Sequence, residues 1–223
     1  MPFFRIISAL FAIALSASFA LKPKEVTSEY RLLRVTTKRY QSSALVQMNV
    51  EKVVKSELMG SETKYIGKID ISSGRFRWEN TTPEKSLLVF DGKTIWSEQS
   101  PPAEFPGKVQ VAVAKVDKKN RSQILISSLL GKSTIFENFK VLKEDRIGAE
   151  TVYLIEPKTK EINIDKITLT INTKEKTLIG ISYKDDVGNL TEMKFSNIEF
   201  FKKNSRKELF NYTPPKGAQV TNL

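Results

Sequence analysis

Residues 74–96 read GRFRWENTTPEKSLLVFDGKTIW. Thr82-Pro83 marks one turn and Asp91-Gly92 a second. The second is predicted to be a two-residue type I′ hairpin turn, a geometry that needs φ > 0 at both positions and favours Asp-Gly. The strands beside these turns carry Phe76, Trp78, Phe90 and Trp96. The segment holds no acid–base pair, no thiol and no phosphate-cradling loop. It offers apolar and aromatic sheet surface, which suits binding rather than catalysis.

Working outward, the period-2 pattern recurs on both sides. Ala44, Val46, Met48 and Val50 alternate with polar residues, and Met59-Gly60-Ser61 turns the chain. Tyr65, Gly67, Ile69 and Ile71 begin the strand that leads into the aromatic block. Further alternating segments lie at 108–116, 139–146, 151–156, 164–173, 178–184 and 190–200. About eleven strands with turns every 8–12 residues predict one mainly β domain, a large antiparallel sheet, sandwich or barrel. Two stretches break the alternation. Residues 26–40 place Val26, Tyr30, Leu33 and Tyr40 at helical spacing, with Thr27 or Ser28 to cap the start. Residues 122–130 form a short apolar helix stopped by Gly131, either a core plug or a movable lid.

The chain starts with Met1-Pro-Phe-Phe-Arg5, an apolar run over 6–17 and Ser18-Phe19-Ala20. A charged n-region, an apolar h-region of about a dozen residues and a small-x-small site describe a secretory signal peptide, residues 1–20, ahead of a single domain at 21–223. The run is shorter than the ~20 residues that a spanning helix requires. There is no histidine and no cysteine. That inventory excludes Ser-His-Asp and Cys-His catalysis, disulfides, and a thiol-linked lipid anchor. The formal net charge is +11. Its local clusters, Lys118-Lys119-Asn-Arg121 and Lys202-Lys203 with Arg206-Lys207, lack the interleaved aromatic residues of a nucleic-acid platform. They read as solvated loops, or as an attraction for anionic surfaces. Asp185-Asp186 with Gly188-Asn189 lacks the ligand spacing of a calcium loop and reads as a hairpin turn. No cofactor or metal is implied.

Gly67-Lys-Ile-Asp-Ile71, Gly74-Arg-Phe-Arg-Trp78-Glu, Pro83, and Leu88-Val-Phe-Asp-Gly-Lys-Thr-Ile-Trp96 together resemble the periplasmic outer-membrane lipoprotein carrier (LolA) family. The tail Phe210-Asn-Tyr-Thr-Pro-Pro-Lys-Gly-Ala-Gln-Val220 is similar to that family's ending. The resemblance implies a single strongly curved antiparallel sheet, an open half-barrel, with about three short helices over its concave apolar face. It implies a periplasmic carrier of a Gram-negative bacterium and not an enzyme. Such a carrier takes acylated lipoproteins from an inner-membrane ABC transporter and hands them to an outer-membrane acceptor lipoprotein (LolB-type) where one exists. A monomer with no nucleic-acid partner is expected. A sensor or scaffold that binds lipid or lipoprotein on the same fold is the alternative.

On this reading Phe76, Trp78, Leu88, Trp96, Ile69 and Ile71 are candidates for the apolar cavity wall, with Leu125 and Leu129 on the lid. Each also suits an ordinary core. One departure stands out. Many members of the family carry an Arg-Pro before the Phe-x-Trp strand, and that Arg latches the lid; here the stretch is Ser72-Ser73-Gly74. Arg75 and Arg77 should point away from Phe76 and Trp78. Closure then falls to serine hydroxyls, or the cavity stands open.

Overall fold

The computed structural model describes residues 29–102, 104–105, 107–116, 130, 135–159 and 164–223. Helix α1 (Arg31–Ser42) precedes β1 (Leu45–Ser56), β2 (Ser61–Ser72), β3 (Arg75–Thr82), β4 (Ser86–Phe90), β5 (Thr94–Gln99) and β6 (Gln110–Lys115). A one-turn helix α2 (Ile135–Asn138) leads into β7 (Phe139–Ile147), β8 (Glu150–Pro157), β9 (Ile164–Asn172), β10 (Thr177–Asp185) and β11 (Leu190–Phe201). A 3-10 turn (Lys207–Phe210) and β12 (Gln219–Asn222) follow.

All strands belong to one open sheet, in the order β12-β6-β5-β4-β3-β2-β1-β11-β10-β9-β8-β7. β1 to β6 and β7 to β11 are two runs of antiparallel neighbours, with β7 starting at the far edge, and the two runs join where β11 pairs with β1 at the centre. The chain then crosses the sheet, and β12 adds to β6 in parallel. The sheet has twelve strands where the alternation predicted about eleven. The extra one is the tail, whose four residues carry no period-2 signal of their own. Two α-helices occur among the described residues rather than about three; the expected helix at 122–130 lies outside them apart from Leu130, which is buried. The signal segment and the proposed caps Thr27 and Ser28 also lie outside.

Helix α1 starts later than its spacing suggested, after Tyr30 in the left-handed conformation (φ 60). It buries Leu33, Thr36, Thr37 and Tyr40 against the sheet, one stripe of an otherwise exposed helix. The sheet supplies the other side of the core. Val46, Met48 and Val50 from β1, Ile69 and Ile71 from β2, Ile167, Leu169 and Ile171 from β9, and Met193 and Phe195 from β11 share one buried core with Leu33 and Tyr40 of α1. Gly67 has a specific reason to be glycine. At the β2–β3 irregularity the carbonyl of Glu79 would lie 2.1 Å from a Cβ at this position.

The turn after β4 is wider than predicted. Phe90 pairs with Ile95, only Gly92 has positive φ (102), and Asp91 Oδ1 accepts the backbone N–H groups of Lys93 and Thr94, each at 2.8 Å. The carboxylate makes an Asx turn in place of the type I′ geometry. At the far edge, β7 carries Lys140, Lys143, Glu144, Asp145 and Arg146, charges that guard an unpaired strand against edge-to-edge pairing.

Candidate functional site: the helix-side face

Strict alternation along β3 sends Phe76 and Trp78 to the helix side and Arg75, Arg77 and Glu79 to the outer side. Register then builds rows across the sheet. Ile71, Phe76, Phe90 and Ile95 form one row; Ile69, Trp78, Leu88 and Ser97 form the next. Phe76 is 2% exposed and Trp78 9%, Ile69 and Ile71 are buried, and Leu88 is half-buried. The Phe76 and Phe90 ring centroids lie 5.8 Å apart. Trp78 keeps its indole N–H satisfied on Asn80 Oδ1 at 2.8 Å, and Asn80 in turn donates to Ser86 Oγ at 3.0 Å. Five of the six proposed wall residues thus share one continuous apolar surface.

Trp96 is on the other face. It pairs with Val89 and Val113, and its ring lies 5.4 Å from Tyr212. The signal for this was present in the sequence. A hairpin connection of two residues, or the four found here, sets Trp96 opposite an odd-numbered residue of β4, whereas Leu88 is the one that faces Trp78. Leu125 and Leu129 lie outside the described residues. What the sequence reading missed is the other half of the face, Tyr153, Ile155, Ile167, Leu169, Ile171, Leu178 and Ile181. The alternation in 164–173 and 178–184 was legible, but nothing local says that these strands share a face with Phe76.

Helix α1 covers this second half. Its fastening combines hydrogen bonds with ring contacts. The Leu178 backbone N–H donates to the Tyr40 hydroxyl at 3.2 Å, and Arg39 Nη1 donates to the Glu175 carbonyl at 2.6 Å. The Arg39 guanidinium lies 3.8 Å from the Phe200 ring centroid, and Arg34 lies 3.9 Å from that of Phe136 on α2. Tyr30 stacks on Phe136 and meets Tyr153 edge-on, each at 6.4 Å. Burial pushes the Tyr40 phenol well above its ordinary pKa, so it stays neutral. Ser72 is not a latch: its hydroxyl donates to the Ala44 carbonyl at 2.7 Å, within the sheet. The described contacts of α1 are mainly aromatic and cation–π.

The free space between α1 and the sheet, lined by Leu33, Leu130, Ile135, Leu169, Ile171 and Leu178, is about 10 Å³. A cavity that takes even benzene has on the order of 150 Å³. A void of this size holds no such ligand while α1 is in place. Among the described residues no group of three or more acidic, histidine or cysteine side chains is placed to hold a metal ion. No described helix is long and apolar enough to cross a membrane.

The outer face is built differently. Val89 and Val111 are buried there beneath residues 206–222, which run from β11 to β6. Arg206 reaches Asp70 (3.4 Å), Phe210 is 0% exposed beneath the Arg75 guanidinium (4.8 Å), and the Tyr212 hydroxyl donates to Glu98. Gln219 N–H then donates to the Val109 carbonyl at 2.8 Å, beginning the β12 pairing.

The family model described as "Outer membrane lipoprotein carrier protein LolA" matches residues 52–213. A protein named outer-membrane lipoprotein carrier protein from Neisseria meningitidis is 31% identical over 150 residues, 66% of this chain and 66% of that protein. One of the same name from Legionella pneumophila is 29% identical over 148 residues, 66% and 68% of the two chains. The chain thus spans about two thirds of the length of these relatives. An uncharacterized conserved protein from Thermus thermophilus shares the fold at a TM-score of 0.51 and 14% identity, over 86% of this chain and 97% of that one.

Proposed function

Because the chain belongs to the outer membrane lipoprotein carrier (LolA) family, we propose that it is a carrier that shields the acyl chains of lipoproteins between two membranes, and not an enzyme. The observation that carries this reading is the continuous apolar face Ile69, Ile71, Phe76, Trp78, Leu88 and Phe90, joined to a second apolar half that an amphipathic helix covers. The relatives' shared name supports the same cargo. On this reading the segment 1–20 directs export to the periplasm of a Gram-negative bacterium and is removed. The monomeric domain 21–223 then loads at an inner-membrane ABC transporter and unloads to an acceptor lipoprotein at the outer membrane. Leu125 and Leu129 remain the proposed lid.

Magnitudes constrain the mechanism. Burying a methylene contributes about 0.8 kcal/mol, so three chains of roughly 15 methylenes would give roughly 36 kcal/mol if fully buried. Non-covalent affinity saturates near about 18–21 kcal/mol, and a carrier must also release. Two features moderate the binding. Opening the closed face separates α1 from Leu178, Glu175, Phe200 and Phe136, which subtracts from the gross gain. The wall itself is aliphatic and aromatic with few polar anchors, so it holds chains without fixing them. Direction is then set by the acceptor having the better site.

The test is capture. The secreted chain, mixed with a triacylated lipopeptide and read by native mass spectrometry, should form a one-to-one complex that the unacylated peptide does not form. Depletion in the cell should strand lipoproteins at the inner membrane. A bare polypeptide in the first experiment, with normal lipoprotein sorting in the second, sinks the proposal.

A further inference from the structure

Lys52 is out of keeping with its surroundings. It continues the inward series Val46, Met48, Val50 on β1, and it pairs with Tyr65 of β2 and Met193 of β11. Its ammonium lies 5.1 Å from the Tyr65 ring centroid and 5.6 Å from that of Trp78. Nearby Lys55 and Lys64 are ion-paired with Glu192 and Glu51 at 2.9 Å. Among the described residues no carboxylate lies within 4.0 Å of the Lys52 ammonium. Burial lowers its pKa from the ordinary lysine range. Ring faces attract a cation but replace only part of the water it gives up, and a partly desolvated charge gains most from an anion. A lysine with no structural carboxylate, set within an apolar face, is therefore a preformed half of an ion pair. On β3 and β4 the polar pair Asn80 and Ser86 marks where the apolar rows end.

We propose, resting on the reading of this face as an acyl-chain site, that Lys52 between Tyr65 and Trp78 is a subsite for the anionic oxygens at the polar end of a lipid. These would come from the phosphodiester of a glycerophospholipid or the carboxylate of a free fatty acid. The chain would lie along Met48, Ile69 and Trp78, with its charged end on the ammonium. The protein would then also accept anionic lipids that are not attached to a polypeptide.

The experiment compares four probes of equal acyl length on the secreted chain by calorimetry: dodecanoate, methyl dodecanoate, didodecanoyl phosphatidylglycerol below its micelle concentration, and didodecanoyl glycerol. The wild-type protein should bind at least one anionic probe about tenfold more tightly than its neutral counterpart, a step of about 1.4 kcal/mol. Whichever anionic probe shows the advantage identifies the source of the oxygen. Lys52→Met should erase the advantage while keeping neutral-probe binding, and Lys52→Arg should retain most of it. An anionic-to-neutral ratio unchanged in Lys52→Met overturns the Lys52 subsite and leaves the acyl site standing. Failure of the wild type to bind any of the four probes, neutral ones included, overturns both.

Discussion

The two faces of the sheet are covered by opposite means. On the outer face residues 206–222 seal Val89 and Val111 with a fully buried Phe210, a phenol on Glu98 and a run of backbone hydrogen bonds that makes β12 part of the sheet. On the helix side α1 lies over a far larger apolar surface, held largely by side-chain packing, with the Tyr40–Leu178 and Arg39–Glu175 hydrogen bonds among its polar ties. Main-chain pairing is cooperative and position-specific, whereas side-chain stacking can be exchanged for another apolar partner. One cover belongs to the fold; the other is the one that cargo replaces under the proposed function.

The sharpest way to break this comparison is Phe210→Ala. It should cost about 3–5 kcal/mol, lowering the melting temperature by roughly 6–20 °C in a domain of this size. The molecules that remain folded should bind lipopeptide as before. Loss of lipopeptide binding with little loss of stability would mean that the outer face handles cargo too. On the opposite face Tyr40→Phe removes the hydroxyl that accepts the Leu178 N–H, and should cost only about 1 kcal/mol. The same change should raise the rate of lipopeptide uptake in stopped-flow fluorescence, because the cover is easier to lift. An unchanged uptake rate would show that α1 does not gate the face.

Alkaline pH tests both faces together. Burial raises the pKa of Tyr40 on α1 and pushes Tyr153 up to about 12; burial, then the Glu98 carboxylate, raises that of Tyr212. Because the folded values exceed the unfolded value of about 10, the stabilisation is intact below that pH and is lost as pH rises through the folded values. The melting temperature should hold to about pH 10 and fall by pH 12, with a smaller fall in Tyr212→Phe. The least effect is expected from Glu192→Gln. It breaks an exposed ion pair with Lys55 worth about 0.2–1 kcal/mol, and denaturant melts should shift little.

Much of the helix-side wall was legible because period 2 is a local rule. The Arg75/Phe76/Arg77/Trp78 alternation needs no knowledge of the rest of the chain, and the arginines do point outward onto Phe210 and Glu79. Trp96 was misassigned to the wall because facing must be carried across a turn, and residue count through the turn decides it. The tail motif was recognisable as a sequence, but its role as a cover and twelfth strand depends on a crossing over six strands that no short window encodes. Lys52 escaped notice for a related reason. A lysine in an alternating strand looks solvent-facing until its register with Tyr65 and Met193 is known.

The parallel pairing of β12 with β6 bears on how the molecule comes into being. All eleven other strands precede β12 in the chain, so a polypeptide emerging N-terminus first leaves Val89, Val111 and the free edge of β6 bare until residues 206–222 have followed. Until then the nascent protein lacks the piece that completes its outer layer. The strand edge and apolar patch exposed in that interval are what a holding chaperone would recognise, and the arrival of the last segment is what would end its grip.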